Sequence, residues 1–490
     1  MSAAALRFVE KEYRNLGASL AFLICSLGIA GLFFLNRNAS VRNSKALWLP
    51  VIWLWIVGSR PVSVWLGTGA SAGQGGLDAT LDGSPLDAAI FAALLTAGLI
   101  VLLGRRRKTG ALLRSSAPLI VYFTYCMVSI TWSEFPGPAF KRWIKDLGDL
   151  VMVLIVVTDL QPVEAVRRII SRVGFVLLPL SVVLTRYTVL GRGYDPGGNP
   201  MNTGVTTNKN TLGLITFVLA LGAFWNVRTL ILGKQAPDRG RRLMAQGALL
   251  AFGLVVLQMA HSATSVACFV LGAGLILATN LRAIRSRPAR VHVLCLSIVL
   301  VGGLTMLLGG EGDVVHALGR SSDLTGRTEI WAAAIPAVPN ILIGAGFESF
   351  WNSRGELVAQ KLAGYWNIRN LVSAHNGYIQ IYLDLGWVGV ALISLLIISG
   401  YRRACAAFQR NFELGSLALA YIATSAVYSF SEVGFRVLTP SWIFLLLAVA
   451  LANGAVAGIV ANGMGEASVS RSEPELGQPT SRKLTLSQSR

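Results

Sequence analysis

A histidine at the mouth of an apolar run is placed to exchange protons at a membrane surface. His375 opens the run Ala374-His375-Asn376-Gly377-Tyr378, and an imidazole near neutral pH can take the proton of a sugar hydroxyl. At about 100° per residue, Tyr378, Tyr382, Gly386 and Gly389 share a helix face with His375. This stripe passes from the imidazole through two tyrosines to two glycines, which would let a neighbouring helix approach closely. Periodicity alone equally allows an interfacial histidine that merely anchors the helix end.

The segment Gly326-Arg327-Thr328-Glu329-Ile330-Trp331 reads as a short helix stopping at Pro336. Arg327 then lies near a helix N-terminus, where backbone N–H groups and a guanidinium together favour a phosphate or diphosphate. A surface arginine facing water or headgroups is the plainer account. A third patch, Asn202 to Gly213, contains Lys209 and follows Arg186 and Arg192, while Arg142 and Lys145 stand at the entrance to another apolar run. Each of these cations could hold an anionic group, or simply snorkel. His261 is a second candidate base in a weaker setting; His316 lacks a motif and His292 falls on the other side of the chain's alternation.

What must position these groups is a membrane bundle. Of 490 residues 53% are apolar and 14% charged, with a mean hydropathy of +0.59, which excludes a soluble fold. At roughly 20 residues per span, about a dozen helices would use the apolar supply once. Apolar runs fall near 17–35, 46–64, 86–103, 116–132, 147–158, 173–185, 211–225, 244–260, 264–280, 291–309, 378–400, 414–431 and 437–460. The expected architecture is therefore all-α and polytopic, with about 12–13 transmembrane helices over residues 1–460. One long external loop covers 310–377, and residues 461–490 form a disordered cytoplasmic tail. The first run is expected to be a retained span, with a cleaved signal peptide as the alternative.

Lys and Arg number 43 against 24 Asp and Glu. The excess follows topology, since alternate connections carry 27 of these cations in fewer residues and the others carry 16. The side of Arg105-Arg106-Arg107-Lys108 is thus cytoplasmic, and loops 65–85, 133–146, 186–210 and 310–377 face outward, as does the N-terminus. No nucleic-acid motif accompanies the charge. Five cysteines, without Cys-x-x-Cys or a Cys/His cluster, offer no structural metal or redox site. The external segment concentrates the polar inventory, with Arg320, Arg327, Arg354, Lys361, Arg369, Trp331 and the aromatics around Phe347 and Trp366.

These segments resemble the O-antigen polymerase and O-antigen ligase superfamily, the Wzy-type glycan polymerases, and most closely its exopolysaccharide-production branch. The family's hallmark is His, then Asn, Ser or Gln, nine residues, Gly, two residues and a small residue or Tyr; His375, Asn376, Gly386 and Gly389 fit it without a gap. Gly326-Arg327 before Trp331, the Gly344 to Trp351 turn, Lys209-Asn210 before Leu212-Gly213, and Ser59-Arg60-Pro61 add to the likeness.

The resemblance implies a metal-independent, cofactor-free, inverting glycosyltransferase of the multi-span C class in the cytoplasmic membrane, its active site facing the periplasm or cell exterior. Its donor would be a polyprenyl-diphosphate-linked oligosaccharide and its product a growing glycan chain, with membrane lipids and a chain-length regulator as partners and no nucleic acid. His375 and Arg327 would be catalytic, and Asn376, Tyr378, Lys209, Arg320, Arg186, Arg192, Trp331 and Arg142 would bind substrate. Many relatives carry Ser-Arg or Ser-Lys where this chain has His261-Ser262-Ala263-Thr264, and Arg186, Arg192, Lys209, Arg320 and Arg436 are the candidates to substitute for that cation. A ligase passing a finished glycan to a lipid or protein shares the chemistry. A transporter or flippase is disfavoured by the scarcity of intramembrane charges, chiefly Asp149 and Asp384.

Overall fold

A computed structural model describes residues 3–38, 41, 43–68, 83–194, 198–233, 238–285, 287–308, 325–362 and 372–460. The chain opens with α1 (Ala3–Leu35), α2 (Trp48–Val57), α3 (Val62–Trp65) and α4 (Pro85–Gly104). It continues through α5 (Arg106–Arg114), α6 (Ala117–Ser129), α7 (Pro136–Val157) and α8 (Pro162–Tyr187) to a small hairpin, β1 (Arg192–Tyr194) and β2 (Pro200–Asn202). Then follow α9 (Lys209–Leu232), α10 (Arg239–Ala260), α11 (Ala263–Ala278), α12 (Arg282–Arg285) and α13 (Pro288–Leu308). The last elements are α14 (Thr325–Ala334), α15 (Phe350–Leu362), α16 (Gly377–Arg410), α17 (Phe412–Tyr428) and α18 (Pro440–Val456).

Every predicted apolar run falls on a helix, so the all-α, polytopic reading stands, although several of the helices are short. Among the described residues six helices are long and apolar enough to cross a membrane, or seven if α5 and α6, bent by 90°, form one span. Five more apolar helices have 10–17 residues. Two runs show why. The run 46–64 stops at Val57, because Arg60-Pro61 turns the chain and the buried Arg60 guanidinium donates to the Gly204 carbonyl (2.8 Å), Thr203 Oγ1 (3.1 Å) and the Leu190 carbonyl. The run 147–158 is the apolar half of α7, whose other half holds the buried Arg142, Lys145 and Asp146.

α16 is broken, which corrects the expectation of one continuous stripe. Gly386 has φ 63° and ψ −165°, and the chain from Ile341 to Gly346 crosses it. The N–H groups of Trp387 and Val388 donate to the carbonyls of Ile341 and Leu342, each at 3.0 Å. Those of Ala345 and Gly346 donate to Leu383 (3.1 Å) and Asp384 (2.8 Å), and Tyr125 Oη serves the Leu385 carbonyl at 3.0 Å. Groups freed by the break thus find partners, the condition for irregular backbone among apolar helices. A Cβ at Gly386 would lie 2.3 Å from the Leu342 carbonyl carbon, and one at Gly344 would lie 2.4 Å from that of Asp384. Gly386 therefore admits a loop rather than a neighbouring helix, and a Cβ at Gly389 would strike Leu385 and crowd Ile381, both of its own helix.

Polar contacts gather at the two ends of α17. At one end Glu413 pairs with Arg167 at 3.1 Å; Asp159 accepts from Asn43 (2.8 Å) and Arg105 (3.5 Å). At the other, the connection between α17 and α18 gathers the elements considered next. Residues 461–490, expected as a tail, lie outside the described residues, as do Arg320, His316 and Arg369.

Candidate functional site

The eleven residues linking α17 to α18, Ser429 to Thr439, hold two charges, Glu432 and Arg436, and these are the only Asp, Glu, Lys, Arg or His between 414 and 460. Glu432 is the hub. Its Oε1 accepts from Arg327 Nη2 at 3.1 Å and from Asn210 Nδ2 at 3.0 Å, and its Oε2 lies 3.4 Å from His375 Nδ1. Arg327 also donates to the Ser431 carbonyl. Four separate stretches of sequence thus meet on one carboxylate. Burial alone would raise the Glu432 pKa; the bonds and charges of His375 and Arg327 outweigh it and hold the group below the ordinary glutamate range.

His375 is 41% exposed while Glu432 is 10% exposed, so the imidazole offers its far edge outward above a largely sealed partner. Its backbone is left-handed, with φ 46°, because the chain turns there into α16. Asn376 caps that helix: Oδ1 accepts from the N–H groups of Tyr378 (2.9 Å) and Ile379 (3.0 Å), and Nδ2 donates to the Phe430 carbonyl at 2.9 Å. Tyr378 Oη donates to the Ala426 carbonyl at 3.2 Å and its ring packs on Phe430 and Phe435. Both side chains join α16 to α17 and fix His375, so their sequence assignment to substrate contact finds them engaged in scaffold bonds.

α14 begins at Thr325 and yields to a 3-10 turn at Ile335, which places Arg327 in its first turn. Trp331 Nε1 donates to the Ala374 carbonyl at 2.7 Å, tying α14 directly to the residue before His375. Beneath, Ile330, Phe350, Trp351, Val358 and Leu383 form a separate apolar cluster that seats α14 and α15 on α16. The spacing of arginine and tryptophan in the sequence thus serves one purpose: each fastens α14 at a different point beside the imidazole.

The remaining cations divide sharply. Arg436, 1% exposed, donates from Nε to Glu348 Oε2 at 2.9 Å, and Arg142 reaches the Glu348 carbonyl and, at 3.5 Å, Asn352 Oδ1. Both lie below the hub as structural cations. Arg192 folds back onto the carbonyls of Thr185 (2.7 Å) and Arg186 (3.0 Å), and Arg186 is exposed. Neither is bonded to the hub. Lys209, half-buried at the start of α9, immediately precedes Asn210, whose Nδ2 donates to Glu432. The His261 turn is near too: Thr264 Oγ1 and Ser431 Oγ are 3.0 Å apart, and His261 is exposed with φ 48°.

Sequence reasoning missed Glu432 and Asn210. A lone acid in a short turn between two long apolar runs was the available signal, since an isolated carboxylate there needs cationic partners. The arrangement can hold a proton on an imidazole, keep that ring oriented through a carboxylate, and present a guanidinium within the same cluster.

The site lies on a helical bundle in which, among the described residues, six or seven spans are long and apolar enough to cross a membrane. Residues 248–394 match the family described as O-antigen ligase. The matched segment contains His261, Arg327 and His375, whereas Lys209, Asn210 and Glu432 come from outside it. The chain is also similar to the exopolysaccharide production protein ExoQ of Rhizobium meliloti (strain 1021), 27% identical over 293 residues. That likeness covers 58% of this chain and 64% of the relative, so it spans under two thirds of the relative's length.

Proposed function

We propose that this protein joins polyprenyl-diphosphate-linked oligosaccharide units into exopolysaccharide, by inverting and metal-independent glycosyl transfer on the outer face of the cytoplasmic membrane. The observation that carries the reading is the shared carboxylate: Glu432 brings an arginine and a histidine from distant segments to one place. An acceptor hydroxyl of the glycan attacks the anomeric carbon of the donor. Its proton passes to His375, and the bond from the anomeric carbon to the diphosphate oxygen breaks. Arg327 receives the negative charge that develops on the departing lipid diphosphate. Lys209, beside Asn210, is the cation that stands in for the one absent from the His261-Ser262 turn. The growing chain, membrane lipids and a chain-length regulator complete the proposed partners.

The description of the matched family, O-antigen ligase, favours a second reading, transfer of a finished glycan to a lipid or protein acceptor in one step. The two are separated by supplying membranes that contain the protein with a labelled lipid-linked repeat unit and resolving the products by size. A ladder rising by whole repeats supports the polymerase. A single shift of label onto another lipid or a protein, without a ladder, supports the ligase.

A further inference from the structure

At the end of the bundle away from Glu432, the connection between α1 and α2 and the first turns of α8 enclose a cavity of about 320 Å³. Three guanidinium groups line it, from Arg37, Arg168 and Arg172, together with Phe33, Phe175 and Trp48. No Asp or Glu is among its lining residues. The two nearby acids are committed elsewhere, Glu164 to Arg167 and Arg242, and Asp159 to Asn43, Ser44 and Arg105.

The arginines are held in place by different means. Arg168 Nη2 donates to the carbonyls of Val41 (2.8 Å) and Asn38 (3.3 Å), which fixes the connection over α8. The Arg172 guanidinium lies 4.3 Å from the centroid of the Trp48 ring, a cation–π contact that neutralises none of its charge. Arg37 extends from the connection and is exposed. Clustered like charges without acids repel one another, and an anion relieves that repulsion.

One side of the wall is apolar, formed by Phe33, Val41, Trp48 and Phe175, and continues onto the outer flank of α1. Phe33 meets Phe175 edge-on at 5.7 Å, and the spanning part of α1 buries only 6% of its residues against the protein. Its flank, with Leu20, Leu23, Leu27 and Phe34 exposed, offers acyl-length apolar surface leading to the arginines. A cationic pocket continuous with such a surface suits an amphiphile with a phosphate at its head. We infer that this cavity is a binding site for the phosphate headgroup of an anionic membrane phospholipid. The inference is independent of the glycosyl-transfer reading.

The test uses the full-length protein in detergent, with bound lipid counted by native mass spectrometry. Phosphatidylglycerol and phosphatidylcholine of matched acyl chains are titrated in parallel, and inorganic phosphate serves as a competitor. Phosphatidylglycerol is expected to bind in preference, with about fivefold weaker affinity for each of Arg37→Gln and Arg172→Gln. Arg107→Gln, at an exposed cation of the same end, is expected to leave binding unchanged. Arg37→Gln removes an exposed side chain without a hydrogen bond, so it keeps the test valid should Arg172→Gln fail to fold. Equal retention of phosphatidylcholine, or unchanged binding in a folded Arg37→Gln, Arg172→Gln double variant, overturns the inference. Displacement of the lipid by millimolar inorganic phosphate overturns it as well, because a soluble anion would then suffice.

Discussion

The turn between α17 and α18 makes two arginine–carboxylate pairs four residues apart, and they differ in what surrounds them. Arg436 and Glu348 are 1% and 7% exposed, closed in beneath the surface, where Arg142 also holds the Glu348 carbonyl. Arg327 and Glu432 are 14% and 10% exposed, and their carboxylate extends its other oxygen to a histidine that is 41% exposed. A sealed pair fastens the chain, because removing either partner strands a buried charge. A pair at the rim, with a titratable ring attached, can exchange one partner for a ligand. The same two functional groups therefore serve as a rivet in one place and as working parts in the other.

Four experiments break or sharpen this contrast. The largest effect is expected at the rim: His375→Ala should reduce chain extension about 10²- to 10⁴-fold on purified lipid-linked units while the protein stays folded. Near-normal polymer from that variant would remove His375 from the chemistry. Next comes the rivet, where Arg436→Met should lower unfolding stability by about 3–5 kcal/mol. Arg327→Met should cost much less, since Asn210 still serves Glu432; thermal unfolding in detergent that ranked the two the other way would dissolve the distinction.

Third, Glu432→Gln keeps the shape of the hub but not its charge. A loss of about ten- to hundredfold in turnover is expected, with lipid-linked donor still bound. The smallest effect is on pH dependence. The Glu432 pKa is depressed in the folded protein from its usual 4.5, so the unfolded chain takes up this proton first. The stability contributed by the hub is complete above pH 4.5 and fades as acidity carries the folded group through its lower pKa. The acid limb of the unfolding profile should therefore be shallower in Glu432→Gln than in the parent; superimposable limbs would mean that the carboxylate is not specially held.

Much of this was readable from residues alone. Apolar runs located the helices, because a span through lipid needs a long apolar stretch. His375, Arg327 and Trp331 were found through their types and spacing. The early end of α2 was hidden, because a hydropathy run cannot register that Arg60 turns inward to grip the chain at Gly204. Glu432 went unnoticed since its partners are 57, 105 and 222 residues away, a separation that no local period records. The break at Gly386 was hidden likewise: its cause is the chain at Leu342, which only the tertiary fold brings near.

The left-handed backbone at residue 375 bears on how the imidazole should be removed. Histidine already bears this φ at a cost of about 1–2 kcal/mol that alanine would share and glycine would not, so a glycine variant removes the ring and relieves the turn together. Glycine would leave the path of the chain intact and open a ring-sized slot next to the second oxygen of Glu432. Dissolved imidazole could then diffuse into that slot and restore turnover, making the enzyme's own base an additive supplied from the buffer.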